Sequence, residues 1–436
     1  MKREKPRLVI IGLDGVPYEI IRDLAAVGVM SVVEDLFREG TLFQMTSSVP
    51  AVSSVAWSTI ITGENPGVHG IFGFTDVAEG SYRLIFPNFA NLKAPPFWER
   101  KSFGRSVILN VPSTYPARPL NGVHVAGFVA PDLAKAVYPP ALVERLRDWG
   151  YEVDVDASTA HQSMELFLRK LNQTLEARTQ AFLELLEEPW DTFMAVFTGT
   201  DRLLHFLWPA VVEPAHRYHE EAIDYFRNVD RNIGQLIGRL NGDEALVLVS
   251  DHGFEGLHLQ VNINRFLMEE DFLEFRQTPP RSLNDIAKGS VAFALDPARI
   301  YLHRDGLYPR GSVRADQEEK IVNRLATALA ELRVHGRKVV ARVYHREELY
   351  HGPEADRAPD LVVVPAEGVE FKAGLRADSL AEPAGSFTGK HRGDNAFLYV
   401  RALEGQEHFP QAPSVQEVQP LLVRLRKLTA SQEEEQ

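Results

Sequence analysis

The 436-residue chain contains no cysteine. Disulfides and thiolate metal sites are therefore excluded, and any bound metal must be held by carboxylates, imidazoles and hydroxyls. No run of 18 or more apolar residues occurs, so the sequence predicts no membrane-spanning helix. Positive charge is in deficit, with 47 Lys+Arg against 60 Asp+Glu and a formal charge of −13. That balance argues against unspecific attraction to duplex nucleic acid or to an anionic membrane. It does not exclude an anionic substrate, because metal ions reverse the local sign at a site. Internal repeats and long low-complexity stretches are also missing. The start, "MKREKPRLVIIGLDG", has the basic head of a secretory signal, but its apolar run is only a few residues long and reaches Asp14 without an A-x-A-like cleavage site. A cytoplasmic protein is the expectation.

What is present reads as a folded chain, 44% hydrophobic and 25% charged, long enough for one large or two ordinary domains. Apolar β-rich runs alternate with helical patterns. "RLVIIGLDG" is a short continuous apolar run of the kind buried on both faces of a parallel sheet. "SVILNVP" and "GVHVAGF" read as further short strands, and "TFMAVFTGTD" and "EALVLVSDHG" as strand-like runs ending in acids. "PPALVERLRDWG" predicts a helix opened by Pro and closed by Gly. Leu171, Leu175, Phe182 and Leu186 fall at helical spacings across a stretch from His161 to Glu188. Strands alternating with helices predict an α/β domain around a mostly parallel sheet. From about 266 to 380 the pattern is looser, with "RIYLH" and "PDLVVVP" around the helical "ADQEEKIVNRLATALAELR". The expected layout is a catalytic core over 1–265, an elaboration or cap over 266–380, the end of the core over 381–428 and an acidic tail over 429–436.

Three apolar runs end in acids: Asp14, Asp201 and Asp251. Parallel strands deliver their carboxyl ends to one edge, where open α/β sheets bind ligands. Several acids meeting there would repel strongly without cations between them. A single such Asp reads more simply as a turn or helix-cap residue, but each has company. Asp201 and His205 in "DRLLHFLW" are an i, i+4 pair on one helix face. His252 follows Asp251 directly in "SDHGF", where Gly253 lets the backbone approach something closely. His391 lies in the polar loop "FTGKHRGDN" before another strand. Ser53 and Ser54 open the apolar helix of "PAVSSVAWSTIITGENPGVHGI". A serine there reads as an N-cap, with Gly63 and Pro66 closing the helix. Near metal ligands, the same hydroxyl also reads as a nucleophile.

These stretches, in this order, resemble the alkaline phosphatase superfamily, and within it the type I phosphodiesterase/nucleotide pyrophosphatase-like branch of predicted phosphohydrolases and phosphomutases. The resemblance rests on "IIGLDG", "PAVSSVAWSTIITGENPGVHGI", "TDRLLH", "SDHGF" and "GKHRGDN", with weaker similarity over nearly the whole chain. It implies a three-layer αβα fold with an inserted elaboration, and two divalent ions, zinc before manganese. It also implies that one ion is held by Asp201, His205 and His391, and the other by Asp14, Asp251 and His252 with the oxygen of the nucleophile. That nucleophile falls on Ser53, with Ser54 its rival. Hydrolysis of a small phosphorylated substrate, a phosphodiester before a monoester, through a phosphoseryl intermediate is the expected activity. A nucleotide is one candidate substrate. Phosphomutases and phosphomonoesterases of the same superfamily are the enzymatic alternative, and a metal-dependent phospho-ligand binding protein the non-enzymatic one.

The chain departs from the pattern in places. Nucleotide pyrophosphatases carry a phosphoryl-contacting Asn shortly after the "HGI" turn, where this chain has Phe74. Sulfatases need Pro and Arg just after their modified residue, and "SVAW" follows Ser53 instead. Lys390 and Arg392 flank His391 and are candidates to bind phosphate. His69 reads as structural, and Asn262 and Asn264 as supports for backbone.

Overall fold

The fold is described from a computed structural model, for residues 7–401 and 412–426. The expected acidic tail over 429–436 lies outside the described residues. The chain divides into two compact units. The first comprises 1–64, 88–254 and 391–436, and the second 65–87 and 255–390.

The first unit is built on an eight-stranded sheet. Its strands are β1 (Leu8–Leu13), β2 (Thr41–Met45), β3 (Ser106–Val111), β4 (Gly122–Ala126), β5 (Val137–Tyr138), β6 (Thr192–Phe197), β7 (Ala245–Val249) and β8 (Ala396–Arg401). They lie side by side in the order β2-β8-β7-β1-β6-β3-β4-β5. The five inner strands from β7 to β4 are parallel, and β2, β8 and β5 run antiparallel to their neighbours. Every residue of β1, β3, β6 and β7 is buried. This is why those segments read as continuous apolar runs instead of alternating ones: helices cover both faces of the sheet in an αβα arrangement. The expected α/β class with a mostly parallel sheet is what the chain forms.

Register does the positioning. Leu8 pairs with Thr192 on one side and Ala245 on the other, so β7, β1 and β6 run in step. Their carboxyl ends therefore reach the same edge, and the residues that follow, Asp251, Asp14 and Asp201, arrive together. Asp201 and His205 lie on the helix Gly199–Val212, which kinks at Leu207, two residues before Pro209. The kink falls after His205, so the pair shares a regular helical turn.

Two local expectations are corrected. The segment from His161 to Glu188 is not one helix but two, Ser158–Gln162 and Met164–Leu186. The break is at Ser163, whose hydroxyl caps the longer helix by accepting from Leu166 N–H, a local bond that hydrophobic periodicity does not reveal. His391 lies in a short strand, Gly389–Arg392, and not in a loop.

The second unit has its own core around a four-stranded antiparallel sheet. Leu361–Pro365 sits between Arg299–Leu302 and Val340–His345, and Ala292–Leu295 pairs with the far side of Arg299–Leu302. Residues of the Glu318–Ala330 helix join that core, among them Leu325 and Leu329. The two asparagines support backbone as expected. Asn262 donates to Ser379 O, while buried Asn264 donates to Ala294 O and Ala373 O and accepts from Ala294 N–H. Among the described residues, no helix is long and apolar enough to cross a membrane.

Asn264→Ala should remove three buried hydrogen bonds while leaving their backbone partners dry. We expect a loss of about 3 kcal/mol in equilibrium urea unfolding. A loss of only a few tenths would mean that water enters and replaces the amide.

Candidate metal centre and nucleophile

The helix that carries the serines, Ser53–Thr62, is buried along its whole length. Its β-branched residues favour helix weakly, so packing and not propensity holds it. The hydroxyls of Ser58, Thr59 and Thr62 donate back to the carbonyls of Ser54, Val55 and Ser58, which lets polar side chains sit in an apolar place. Gly63 ends the helix in the left-handed conformation at φ 72°. Ser53 is not the cap. Val52 occupies that position, and no side chain caps the first turn. As the first helical residue, Ser53 instead points its Oγ at His252 Nε2, 3.1 Å away. Ser54, the rival, is buried with no hydrogen-bond partner for its hydroxyl.

Among the described residues, two groups of acids and histidines lie close enough to hold an ion: Asp201, His205 and His391, and Asp14, Asp251 and His252. In the first, His391 Nε2 is 3.1 Å from Asp201 Oδ1 and 3.0 Å from His205 Nε2, and His205 Nε2 is 3.5 Å from Asp201 Oδ1. A tetrahedral ion with bonds of about 2.05 Å has ligand–ligand edges of about 3.3 Å, so this triangle fits one. In the second, His252 Nε2 is 3.2 Å from Asp251 Oδ2 and 3.9 Å from Asp14 Oδ1. Asp14 Oδ1 and Asp251 Oδ2 are buried with no hydrogen-bond donor. Orphaned carboxylate oxygens beside an imidazole are what a cation would satisfy. The two groups adjoin, since the rings of His252 and His391 stack with centroids 3.7 Å apart.

Backbone carbonyls orient the imidazoles. His391 Nδ1 donates to Ala51 O and His252 Nδ1 to Gly253 O. A carbonyl only accepts, so both Nδ1 atoms carry hydrogen and both Nε2 lone pairs face the site, the tautomer that binds metal. Asp251 is held by Gly15 N–H on its Oδ1. Gly15 has φ 73°, and a Cβ there would lie 2.7 Å from the Phe254 ring, so only glycine brings that N–H to the carboxylate. The close approach expected at Gly253 is to Asn395, whose Oδ1 would lie 2.0 Å from an added Cβ.

Burial pushes Asp14 well above the usual carboxylate range, helped by the charges of Asp251 and Asp201. Burial likewise raises Asp251 to about 7. Burial also acts upward on Asp201, but His205, His391 and Arg202 outweigh it and hold that carboxyl low. His252 is lowered to about 4 by burial and by His391, and burial lowers His391 too. The centre thus combines two carboxyls that resist ionisation with imidazoles that resist protonation.

Lys390 Nζ is 2.7 Å from Glu255, and Arg392 Nε and Nη2 bind Asp394. Both cations already face carboxylates, so a phosphate contact would require these pairs to open. His69 is buried, lowered to about 3 by burial, and accepts from Ile71 N–H in its turn. Three contributors escaped the sequence reading. Phe254 packs its ring against His205, His252 and His391 and walls the centre. Arg202 and Asp154 form an ion pair behind Asp201. Phe254 and Arg202 sit inside quoted motifs, but a phenylalanine and an arginine carry no ligand signal of their own. Asp154 lies 47 residues before Asp201 in the chain, where no spacing rule connects them.

The sequence pattern of the family described as type I phosphodiesterase / nucleotide pyrophosphatase matches residues 8–394. The chain belongs to that family. It is accordingly a phosphoric ester hydrolase, in a family that works with divalent metals. The solved structures similar to this phosphodiesterase-family chain share its alkaline phosphatase-like fold. Phosphonoacetate hydrolase from Sinorhizobium meliloti 1021, in complex with phosphonoformate, superposes with a TM-score of 0.64 at 19% identity, over 97% of this chain and 96% of that one. Murine ectonucleotide pyrophosphatase/phosphodiesterase 5, as an inactive variant in complex with AMP, gives 0.59 at 15% identity, over 98% and 96%. The human form of that protein gives 0.57 at 14%, over 97% and 95%. A comparison with curated protein sequences finds no match.

Metal binding should displace protons from the acids and not from His252. Asp251, raised to about 7, is protonated below that pH in the free protein, and Asp14 is raised as well, whereas His252 is neutral above about 4. Calorimetric titration of stripped protein with Zn²⁺ in two buffers of different ionisation heat should therefore detect at least one proton released at pH 6, and fewer at pH 8.5. Affinity should fall at least about tenfold per unit below pH 7, one factor of ten for each proton released. Proton release that grows with pH would contradict this arrangement.

Proposed function

We propose that the chain hydrolyses phosphate esters, diesters in preference to monoesters, by attack of Ser53 Oγ on phosphorus with two divalent ions bound. The carrying observation is the placement of Ser53 Oγ 3.1 Å from His252 Nε2 at the first residue of a buried helix, beside two adjoining Asp/His triads. Asp201, His205 and His391 would hold one ion, and Asp14, Asp251 and His252 the other. Zinc is the leading candidate and manganese the second, because both accept oxygen and imidazole donors. When bound, the ions supply positive charge to the attacking and leaving oxygens and lower the pKa of the serine hydroxyl.

The remaining steps belong to the chain. The helix places Ser53 where first-turn N–H groups and the positive end of its dipole favour an incoming phosphoryl group. Oγ gives up its proton and bonds to phosphorus as the P–O bond to the leaving alcohol breaks and that oxygen takes up a proton. The phosphoryl group, still carrying its second ester when the substrate is a diester, stays on Ser53. Water then attacks that phosphorus and returns the serine hydroxyl. His252, neutral and held by Gly253 O, stays oriented throughout. Buried Phe254 limits bulk water around the imidazoles. The substrate class is a small phosphorylated molecule. Structural relatives that bind AMP or phosphonoformate support a compact phosphorus-containing ligand, and a nucleotide is one member of the class. In the same reading, residues 266–380 elaborate the core and carry none of the seven proposed site residues.

The test is hydrolysis of bis-p-nitrophenyl phosphate beside p-nitrophenyl phosphate, with Zn²⁺ or Mn²⁺. Ser53→Ala should lower diester turnover by about 10³-fold or more while keeping both ions, and Ser54→Ala should retain turnover. Monoester preference would move the reading to a phosphatase. A metal-loaded protein that turns over neither ester would remove the general phosphodiesterase claim. Loss in Ser54→Ala with retention in Ser53→Ala would shift the nucleophile by one residue.

A further inference from the structure

We propose that Arg202 is a positioning residue that fixes which oxygen of Asp201 faces His205 and His391, and that Asp154 anchors it. The inference rests on reading Asp201, His205 and His391 as ligands of one ion. The two oxygens of Asp201 have separate surroundings. Oδ1 lies 3.1 Å from His391 Nε2 and 3.5 Å from His205 Nε2, on the face where the ion belongs. Oδ2 lies 3.4 Å from Arg202 Nη1. A carboxylate turns easily about its last torsion, and one left to turn can present either oxygen, or both, to an ion. An arginine beside Oδ2 favours the arrangement in which Oδ1 alone is presented.

Arg202 can do this only if it is itself fixed, and it is held on two sides. Asp154 Oδ2 accepts from Nη2 at 2.6 Å and from Nε at 3.1 Å, a forked contact that lysine cannot reproduce. The guanidinium also lies over the Phe128 ring, 4.4 Å from its centroid. Asp154 in turn has a second cation behind it, Arg178, with Nη2 at 4.0 Å. Arg178 is buried and immobilised by Glu152 O, Val153 O and Thr198 Oγ1. The row Arg178, Asp154, Arg202, Asp201 alternates in charge and leads from the body of the domain to a proposed metal ligand. With Asp154 and Asp201 on its donors and Phe128 on its face, Arg202 is committed to holding the ligand and not the substrate. Outer partners of this kind change metal affinity about 10–100-fold when removed.

The test is calorimetric titration of metal-stripped wild type, Arg202→Met, Arg202→Lys and Asp154→Asn with Zn²⁺, beside bis-p-nitrophenyl phosphate kinetics. Arg202→Met should weaken one of the two ions about 10–100-fold and leave the other unchanged. kcat at limiting metal should fall while KM stays within about threefold. Asp154→Asn should give a smaller change of the same kind, and its combination with Arg202→Met should be no worse than Arg202→Met alone, since the two act through one contact. Arg202→Lys should recover part of the lost affinity. If Arg202→Met does not fold, Asp154→Asn and Arg202→Lys, which nearly conserve volume, carry the same test. Wild-type affinity for both ions in folded variants would overturn the inference, and so would a KM increase without any change in metal affinity. A wild type that binds two ions but cleaves no ester would defeat the catalytic reading alone, leaving the affinity test standing. A wild type that binds no ion would defeat this inference.

Discussion

Three carboxylates at the carboxyl ends of three neighbouring parallel strands create the constraint on which this protein is built. Strands β7, β1 and β6 run in register, so Asp251, Asp14 and Asp201 have to meet. Each is buried, and buried acids of like charge cannot all ionise in a low dielectric without compensation. Asp201 finds it in His205, His391 and Arg202. Asp14 and Asp251 keep an oxygen each without a donor. A site assembled in this way stores a demand for positive charge, which divalent ions meet more fully than any side chain present there.

The same constraint accounts for the serine. A helix buried on all sides is an unfavourable place for hydroxyls, and this one handles Ser58, Thr59 and Thr62 by bonding each to its own backbone. Ser53 differs because its position in the first turn turns its oxygen to His252, whereas Ser54 Oγ stays buried without a partner. Packing of an apolar helix thus delivers a single polar atom to the acidic edge of the sheet. The helix end adds partial positive charge at the same place. The proposed nucleophile and the dipole thus arrive together with the docking of this helix, beside the acids that strand register assembles.

The electrostatics run against the protein's overall charge. A net −13 chain that acts on phosphate esters must repel its substrate at long range unless the site reverses sign locally. The cations nearest the centre are poorly placed to do this. Arg202 is engaged by Asp154 and Asp201, and Arg392 by Asp394. The burden would fall on ions held by the two Asp/His groups, in keeping with a family that works with divalent metals.

Much of this was legible without coordinates. Continuous apolar runs ending in Asp14, Asp201 and Asp251 announced buried parallel strands and their functional edge, because burial on both faces removes the alternation that a half-exposed strand would show. The i, i+4 spacing of Asp201 and His205 was legible because a helix converts sequence distance into a shared face. The capping role given to Ser53 was not borne out, since composition cannot distinguish the cap from the residue after it, and one position turns the hydroxyl from the backbone to His252. Nor could the sequence announce that Asp154 stands behind Arg202, that Phe254 walls three imidazoles, or that Lys390 is occupied by Glu255. By itself the sequence determined the strands, their acidic ends and the helical turn that pairs Asp201 with His205, since these depend on local periodicity and neighbours in the chain. Only the tertiary structure decided which oxygen of each carboxylate is free, which nitrogen of each histidine faces inward and which arginine is already spent. Those depend on how side chains turn against one another once folded, against near neighbours such as Gly253 beside His252 and distant ones such as Asp154 behind Arg202 alike.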